Sequence, residues 1–440
     1  MPPLFVPPHP DIPVAAILAY AFAAFAIGLL LTPWFVSFLR RNKLGKQLRV
    51  ETVDGREPTV FRKYHEKKFG TPTMGGLLIW GSIVVTIVLS RLLSYTGFVQ
   101  HSLLQRGQVY LPLFILVSFG LLGALDDYLN IIGGDEESLQ KVRPVMRTVA
   151  ILGFFASIVT AVALWFAGST DRVQWLVKTL QTSGGLWAVP FFVVGLFLFL
   201  VFLQAVGTVL DDTLRSMLAK NVTKRGLGVL PKILSILTLS TIAAFWFYLK
   251  PGYDSVTVPF LGSFHVGAWY IPIFVFVIIG TGNAVNVTDG LDGLAGGLLV
   301  LAFASFGVLA YIHNLSVLAA FCAITAGAVT AFLWHNVPPA LFFMGDTGSL
   351  ALGGTLGVIA LMTDQLLILP LIGFVFVLEM LSVIIQITSK KLRGGKKIFL
   401  AAPIHHHFEA LEWGESKVTM RLWIIGTFFA ALGLIVSLFG

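Results

Sequence analysis

Long apolar runs separated by short polar islands repeat along the whole chain. Two of them, VAAILAYAFAAFAIGLLLTPWFVSFL (14–39) and FFVVGLFLFLVFLQAVGTVL (191–210), match the roughly 20 apolar residues that span a bilayer as a helix. The period-two alternation of an outer-membrane barrel is absent, so the pattern predicts an all-α integral membrane protein. We predict about twelve segments, at 14–38, 74–94, 109–125, 148–167, 187–209, 229–249, 269–287, 294–312, 316–334, 349–362, 366–388 and 420–439.

The composition supports this reading of the pattern. Hydrophobic residues make up 56% of the chain and charged residues 12%, and the mean hydropathy is +0.87. The single cysteine, Cys322, lies in an apolar segment and cannot form an intrachain disulfide. Residues 1–13 carry no Lys or Arg before the first apolar run, so we expect no cleavable signal peptide and a retained first helix.

Two basic loops predict which ends of the helices face the cytoplasm. Residues 39–70 hold ten Lys or Arg against four acids, and residues 390–397 hold five against none. The positive-inside rule makes both loops cytoplasmic, and twelve spans then leave both termini outside. The net charge of +8 fits contact with anionic lipid or with an anionic substrate.

Five polar clusters fall at helix ends that this topology places on one side of the membrane. Glycines and a proline in the first favour a turn whose backbone can approach a ligand closely. Their shared location indicates a common functional site. The clusters are GTPTMGG (70–76), GALDDY (123–128), GTGNAVNVTDGLDGLAGG (280–297), WHNVPPALFFMGDTGSLALGG (334–354) and KIFLAAPIHHHFEALEWGES (397–416).

The acids in these clusters favour a hard divalent cation. Asp289 and Asp292 are spaced i, i+3, so on a helix they would share a face, and the alternative is that one of them caps the following helix. Together with Asp126, Asp127 and Asp346 they offer oxygen ligands of the kind that Mg²⁺ prefers. Zinc bound by the three histidines is the rival, but consecutive helical residues point about 100° apart and cannot all meet one metal.

The clusters, taken in order, carry a family resemblance. GTPTMGG, DDY, NAVNVTDGLDGLAGG, FFMGDTGSLALGG and APIHHHFE resemble motifs of the polyprenyl-phosphate N-acetylhexosamine-1-phosphate transferases, and PIHHHFE resembles the phospho-N-acetylmuramoyl-pentapeptide transferases among them. The match covers roughly residues 60–145 and 225–440. It implies an enzyme that joins UDP-N-acetylmuramoyl-pentapeptide to undecaprenyl phosphate, with Mg²⁺ as cofactor, giving lipid I and UMP.

The resemblance also implies roles for individual residues. Asp346 would bind Mg²⁺, while Asp126, with Asp127 beside it, would orient or deprotonate the lipid phosphate. His405 and His406 would contact the sugar-phosphate part of the substrate. The other implied substrate contacts are Lys68 (phosphates), Thr73, Asn286, Asp289 and Asp292 (nucleotide side), Asn336 and Phe343 (uracil, the latter by stacking), Gln386 and His407.

The chain departs from the family pattern in two places. Asn130 stands near where a lysine usually follows the acid pair, and Lys141 or Arg143 could provide the charge instead. The stretch between Asp127 and NAVN is about twice as long as two helices and their loops require. A second acid pair, Asp211–Asp212, lies in this surplus. We predict about ten core helices plus an inserted helix pair at about 145–225, and we favour the first acid pair as catalytic because FGLLGALDDY is the closer match.

Other functions differ in recognisable ways. A sister transferase for N-acetylglucosamine 1-phosphate would share the aspartates but lack PIHHHFE, and a secondary transporter would show interrupted helices in two matching halves. The resemblance implies a multi-pass protein of the bacterial inner membrane with its active site on the cytoplasmic face. It implies no nucleic-acid partner, and it allows a homodimer.

Overall fold

The structure of the protein is a computed structural model that describes residues 12–42, 44–45, 70–97, 102–105, 107–132, 229–248 and 255–440. All contacts reported below lie within residues up to Ile131 and from Lys232 onward, which form one compact unit. Several sequence predictions lie outside the described residues. These are Lys68, Lys141, Arg143, Asp211, Asp212 and the insertion at 145–225.

The described chain is almost entirely helical, which confirms the all-α membrane class. A short antiparallel hairpin, β1 (Ser255–Val258) and β2 (Gly262–His265), pairs Ser255 with His265 and Val258 with Gly262. The helices are α1 (Val14–Arg41), α2 (Gly76–Tyr95), α3 (Tyr110–Ile132), α4 (Val229–Tyr248), α5 (Tyr270–Thr288), α6 (Leu294–Ile312), α7 (Ser316–Asn336), α8 (Asp346–Met362), α9 (Leu369–Ile372), α10 (Phe374–Leu392), α11 (Ile404–Ala410) and α12 (Glu415–Phe439).

Within the described part of the chain, seven helices are long and apolar enough to cross a membrane: α1, α2, α3, α5, α6, α7 and α12. Two further apolar helices, α4 and α8, are shorter. The predicted segment 366–388 is not one helix, because the backbone leaves the helical conformation at Gly373 and separates α9 from α10. The predicted segments 148–167 and 187–209 lie outside the described residues.

Helix α8 is buried in the middle of this unit. Every residue from Thr347 to Met362 is buried, and the helix packs against α2, α5 and α6. Small residues permit this close packing; a Cβ at Gly353 would come within 2.6 Å of the Thr281 carbonyl oxygen of α5. The first residue of this enclosed helix is Asp346, so packing along α8 sets the position of that carboxylate.

The hairpin is fastened at the end of α8 that lies away from Asp346. The Thr257 N–H donates to Asp364 Oδ1 at 3.2 Å, and the Thr257 hydroxyl bonds the other carboxylate oxygen. Burial raises the pKa of the Asp364 carboxyl above its ordinary value, and the Thr257 bonds oppose that shift. The two ends of α8 thus serve different purposes: one holds the hairpin, and the other carries the polar clusters.

Candidate active site

Asp127 caps the amino-terminal end of α8 from a neighbouring helix. Its Oδ1 accepts a hydrogen bond from the Asp346 N–H at 3.2 Å, and its Oδ2 accepts from the Thr347 N–H at 3.0 Å and the Thr347 hydroxyl at 2.6 Å. The first N–H groups of a helix have no partner within it, and a negative charge near them is favourable. Asp127 therefore holds the backbone of Asp346 in place.

Two glycines make this arrangement possible. Gly345 precedes α8 with a φ of +72°, and a Cβ there would overlap Asp127 Oδ2. A Cβ at Gly123, one helical turn before Asp126, would overlap the Asp346 carbonyl oxygen. The glycines of GALDDY and MGDTGS thus let α3 and the start of α8 come into backbone contact.

Lys232 of α4 joins the two remaining acids. Its Nζ donates to Asp126 Oδ2 at 3.1 Å and also bonds Asp346 Oδ2. The Asp126 side chain is 7% exposed, whereas those of Lys232 and Asp346 are 20% and 23% exposed. The ammonium group therefore bridges two carboxylates at a point that solvent reaches.

Asn286 of α5 completes the surroundings of Asp346. Its Nδ2 donates to Asp346 Oδ1 at 2.7 Å and to Ser349 Oγ at 2.8 Å. Both oxygens of the Asp346 carboxylate are thereby oriented, one by an amide and one by Lys232. The structure thus brings together polar side chains from four helices. They are Asp126 and Asp127 of α3, Lys232 of α4, Asn286 of α5 and Asp346 of α8.

Asp289 and Asp292 do not share a helical face, contrary to the sequence prediction. Helix α5 ends at Thr288, and α6 begins only after Gly293, whose φ of +77° makes a turn. Asp292 is buried, and its Oδ2 accepts a hydrogen bond from the Ala340 N–H at 3.0 Å. This carboxylate ties the α5–α6 turn to the loop before α8.

Asn336 makes a second tie between the same two segments. Its Oδ1 accepts from the Gly293 N–H at 3.0 Å, and its Nδ2 donates to the Phe342 carbonyl at 2.9 Å. The side chain is 3% exposed, so its amide supports the loop that presents Phe343. Phe343 itself is partly exposed, whereas Phe342 is buried.

The GTPTMGG segment lies against that loop. The Phe343 N–H donates to the Pro72 carbonyl and the Gly75 N–H to the Phe343 carbonyl, both at 2.8 Å. Thr73 is buried, and its Oγ1 lies 2.9 Å from where a Cβ at Gly345 would be. Thr73 is therefore next to the Asp127 cap, while Lys68 precedes the described part of this segment.

The three histidines form one turn of α11 and face different partners. His405 is 1% exposed, with its Nδ1 2.9 Å from Glu379 Oε2. His406 is 19% exposed, with its Nδ1 2.7 Å from Glu409 Oε2, and His407 Nδ1 accepts from the Leu400 N–H at 3.1 Å. Their divergence agrees with the expectation that consecutive helical histidines do not meet at one metal.

The predicted substrate contact Gln386 is engaged with the chain itself. Its Oε1 accepts from the Ile398 and Phe399 N–H groups, each at 3.0 Å, and its Nε2 donates to the Phe399 carbonyl at 2.8 Å. The side chain is 5% exposed. In this structure Gln386 holds the segment that leads to the histidines.

The aspartates suit a hard cation that takes part of its coordination from elsewhere. Among the described residues, no group of three or more His, Cys, Asp or Glu side chains could hold a metal ion. Asp126 and Asp346 nevertheless converge on one cation, the Lys232 ammonium. Two carboxylates are the usual protein share of a Mg²⁺ site that is completed by substrate phosphates and water.

Several curated relatives of the chain share one name. The phospho-N-acetylmuramoyl-pentapeptide-transferase of Chloroflexus aurantiacus is 35% identical over 433 residues, covering 97% of this chain and 90% of the relative. The chain belongs to the phospho-N-acetylmuramoyl-pentapeptide transferase family. Transferases of the same name from a Geobacillus species (33% identity; 94% of this chain, 95% of the relative) and Bacillus anthracis (31%; 96% and 98%) agree. The family resemblance predicted from the motifs is thereby confirmed.

A family model, Glycosyl transferase family 4, matches residues 193–364 of the chain. That range contains Asp211 and Asp212 and begins after Asp126 and Asp127. In the structure, Asp126 contacts Lys232 and Asp127 contacts α8. Asp211 and Asp212 lie outside the described residues, so the choice of the first pair stays a prediction.

Lys232 was missed by the sequence reasoning, which sought the basic partner close to the acid pair in the chain. A signal was available: Lys232 is the sole charged residue in the α4 sequence VLPKILSILTLSTIAAFWFY. An ionisable residue in such an apolar helix is a functional candidate by default. The 106 positions between Asp126 and Lys232 hid the relationship.

Proposed function

We propose that the protein transfers the phospho-N-acetylmuramoyl-pentapeptide group from UDP-N-acetylmuramoyl-pentapeptide to undecaprenyl phosphate, giving lipid I and UMP. The carrying observation is the convergence of Asp126, Lys232, Asp346 and Asn286 at one end of a bundle of membrane-type helices. The names of the relatives support this substrate, and a multi-pass membrane protein suits an acceptor that is a lipid.

The transfer exchanges one P–O bond for another. An oxygen of the lipid phosphate attacks the sugar-linked phosphorus of the nucleotide, and the bond from that phosphorus to the UMP oxygen breaks. Catalysis of such a step is mostly positioning and charge stabilisation. Asp126 orients the lipid phosphate or accepts its proton, and Lys232 donates hydrogen bonds to the anionic oxygens that enter between the two carboxylates.

The charge balance of the site supports a Mg²⁺ requirement. Asp126, Asp127 and Asp346 bring three negative charges together, and Lys232 contributes a single positive charge. Two anionic substrates would be repelled from this cluster without a further cation. Asp346 would hold Mg²⁺ beside Asp126, and the ion would supply positive charge to the diphosphate of the nucleotide.

The remaining parts of the proposal concern location. The basic segment 390–397 leads into the histidine helix, and the positive-inside rule puts that end of the bundle in the cytoplasm, where the soluble nucleotide is available. We place the protein in the bacterial inner membrane. A homodimer is compatible with this function and is not required by it.

The test is reconstitution of the purified protein with undecaprenyl phosphate, Mg²⁺ and either UDP-N-acetylmuramoyl-pentapeptide or UDP-N-acetylglucosamine. Mass analysis of the lipid fraction should find lipid I with the first nucleotide and no product with the second. A product formed only from UDP-N-acetylglucosamine would assign the sister activity instead.

A further inference from the structure

A stripe of polar residues runs along one face of helix α10, which is mainly apolar before Thr388. The spacings of three, four and three residues put these side chains on the same side of a helix. All of them are buried. The stripe consists of Glu379, Ser382, Gln386 and Ser389.

Three members of the stripe hold the segment that ends in the histidines. Ser389 Oγ donates to the Lys396 carbonyl at 2.9 Å, and Gln386 bonds the backbone of residues 398–399. Glu379 Oε2 bonds His405. Ser382 differs from the others, because its hydroxyl bonds the Glu379 carbonyl within the same helix. These side chains of α10 thus hold residues 396–405 against the helix.

Glu379 makes the contact that orients a histidine side chain. It is 0% exposed, and its Oε2 faces both the Nδ1 (2.9 Å) and the backbone N–H (3.4 Å) of His405. The short contact between Oε2 and Nδ1 fixes the orientation of the His405 ring from one side. Burying an acidic side chain costs free energy unless a partner compensates for the lost water. Such a residue is therefore a functional candidate.

The other side of the His405 ring lies against the α5–α6 turn. A Cβ at Gly290 would overlap His405 Nε2, so the imidazole occupies the space that the missing side chain leaves. Gly290 stands between Asp289 and Asp292. The His405 ring also lies 4.1 Å from the ring of the more exposed His406. Moving His405 would therefore move His406 relative to the turn.

We propose that Glu379 is a positioning residue. By binding His405, it holds α11, the histidine helix, against the turn that carries Asp289 and Asp292. The inference rests on the proposed function and on the roles that the family resemblance implies, in which Asp289 and Asp292 lie on the nucleotide side and His406 contacts the sugar-phosphate part. Glu379 does not touch substrate in this scheme. Its loss should impair recognition of the nucleotide and leave recognition of the lipid acceptor unchanged.

The test compares Glu379→Leu and Glu379→Gln with Ser382→Ala, a control on the same stripe whose hydroxyl bonds the Glu379 carbonyl within α10. The Leu variant should raise KM for UDP-N-acetylmuramoyl-pentapeptide about tenfold, the scale of one lost hydrogen bond. KM for undecaprenyl phosphate should stay within about twofold, the range of a site that is not perturbed. The Gln variant should recover most of the loss, because its amide oxygen can accept from Nδ1.

A second variant changes the packing on the opposite side of the His405 ring. Gly290→Ala should displace the His405 ring and reproduce the rise in the nucleotide KM, so it decides the matter if Glu379→Leu does not fold. Hydrogen–deuterium exchange of residues 396–411 provides a readout that needs no activity, and it should quicken in Glu379→Leu and Gly290→Ala only.

Three results would overturn the inference: unchanged exchange in both variants, a Gln variant as impaired as the Leu variant, or equal rises in both KM values. If the unaltered protein forms no lipid I, the proposed function fails. The exchange measurement still decides whether Glu379 seats the histidine helix.

Discussion

Replacing Asp127 by asparagine tests whether this residue works mainly as a cap for α8. Asparagine keeps one oxygen and substitutes an NH₂ group for the other. In either orientation the NH₂ group faces a backbone N–H donor, of Asp346 or of Thr347, at the distances of 3.2 and 3.0 Å that the carboxylate now spans. At least one charged hydrogen bond and the favourable charge at the helix terminus are lost.

The size of the effect follows from those losses. A hydrogen bond to a charged group contributes roughly 1.5–3 kcal/mol, and a charge at a partly buried helix end up to about 2 kcal/mol. We expect Asp127→Asn to destabilise the protein by about 2–4 kcal/mol, since the two contributions overlap. Activity should fall as well, because the backbone of Asp346 is no longer fixed.

The matched control is the same substitution at the preceding residue. Asp126→Asn removes a charge beside Lys232, but the amide oxygen can still accept from Nζ and the ammonium keeps its bond to Asp346, so the loss of stability should be smaller than for Asp127→Asn. Thermal unfolding in detergent, measured beside turnover, separates the two variants. An Asp127→Asn protein that is as stable as the unaltered one but inactive would refute the capping role and make Asp127 a participant in the chemistry.

Three further predictions concern the charges of the site and its sidedness. Lys232→Met should reduce turnover by at least about tenfold, as expected for a lost charged hydrogen bond in the transition state, and activity equal to the unaltered protein would argue against Lys232. Asp346→Ala should abolish turnover in a protein that still purifies folded, and EDTA should do the same reversibly; full activity in EDTA would contradict the Mg²⁺ proposal. A cysteine at Lys397 should react with a membrane-impermeant thiol reagent from the cytoplasmic side and one at Leu261 from the outside, since both positions are exposed and Cys322 is buried.

The helices and the meeting of the polar clusters could be predicted because both follow from local patterns. Apolar length identifies a membrane helix. Polar residues at helix ends gather on one side once the helices alternate in direction. The motif NAVNVTDGLDG and the motif MGDTGS are thus in contact through Asn286 and Asp346, as their common location predicted. Which membrane face they occupy stays a prediction.

The partners of individual polar side chains could not be predicted from the sequence. Gln386, Asn336 and Asp292 are typical of ligand contacts by residue type, yet each bonds the backbone of another segment in the structure. Whether a buried amide meets a ligand or a loop depends on backbone groups that tertiary packing brings near it. The turn at Gly293 shows the same limit, because the i, i+3 spacing of the acids presupposed a helix that ends at Thr288.

The most direct measurement of the central claim is lipid I formation by Asp126→Asn and Asp211→Asn proteins, compared at equal amounts of folded enzyme. The contacts of Asp126 with Lys232 predict a loss of orders of magnitude for Asp126→Asn, typical of removing a group at the reaction centre. We expect Asp211→Asn to change the rate less than about threefold, the scale of a screened surface charge. An inactive Asp211→Asn protein beside a working Asp126→Asn protein would contradict the account and move the reaction centre to the second acid pair.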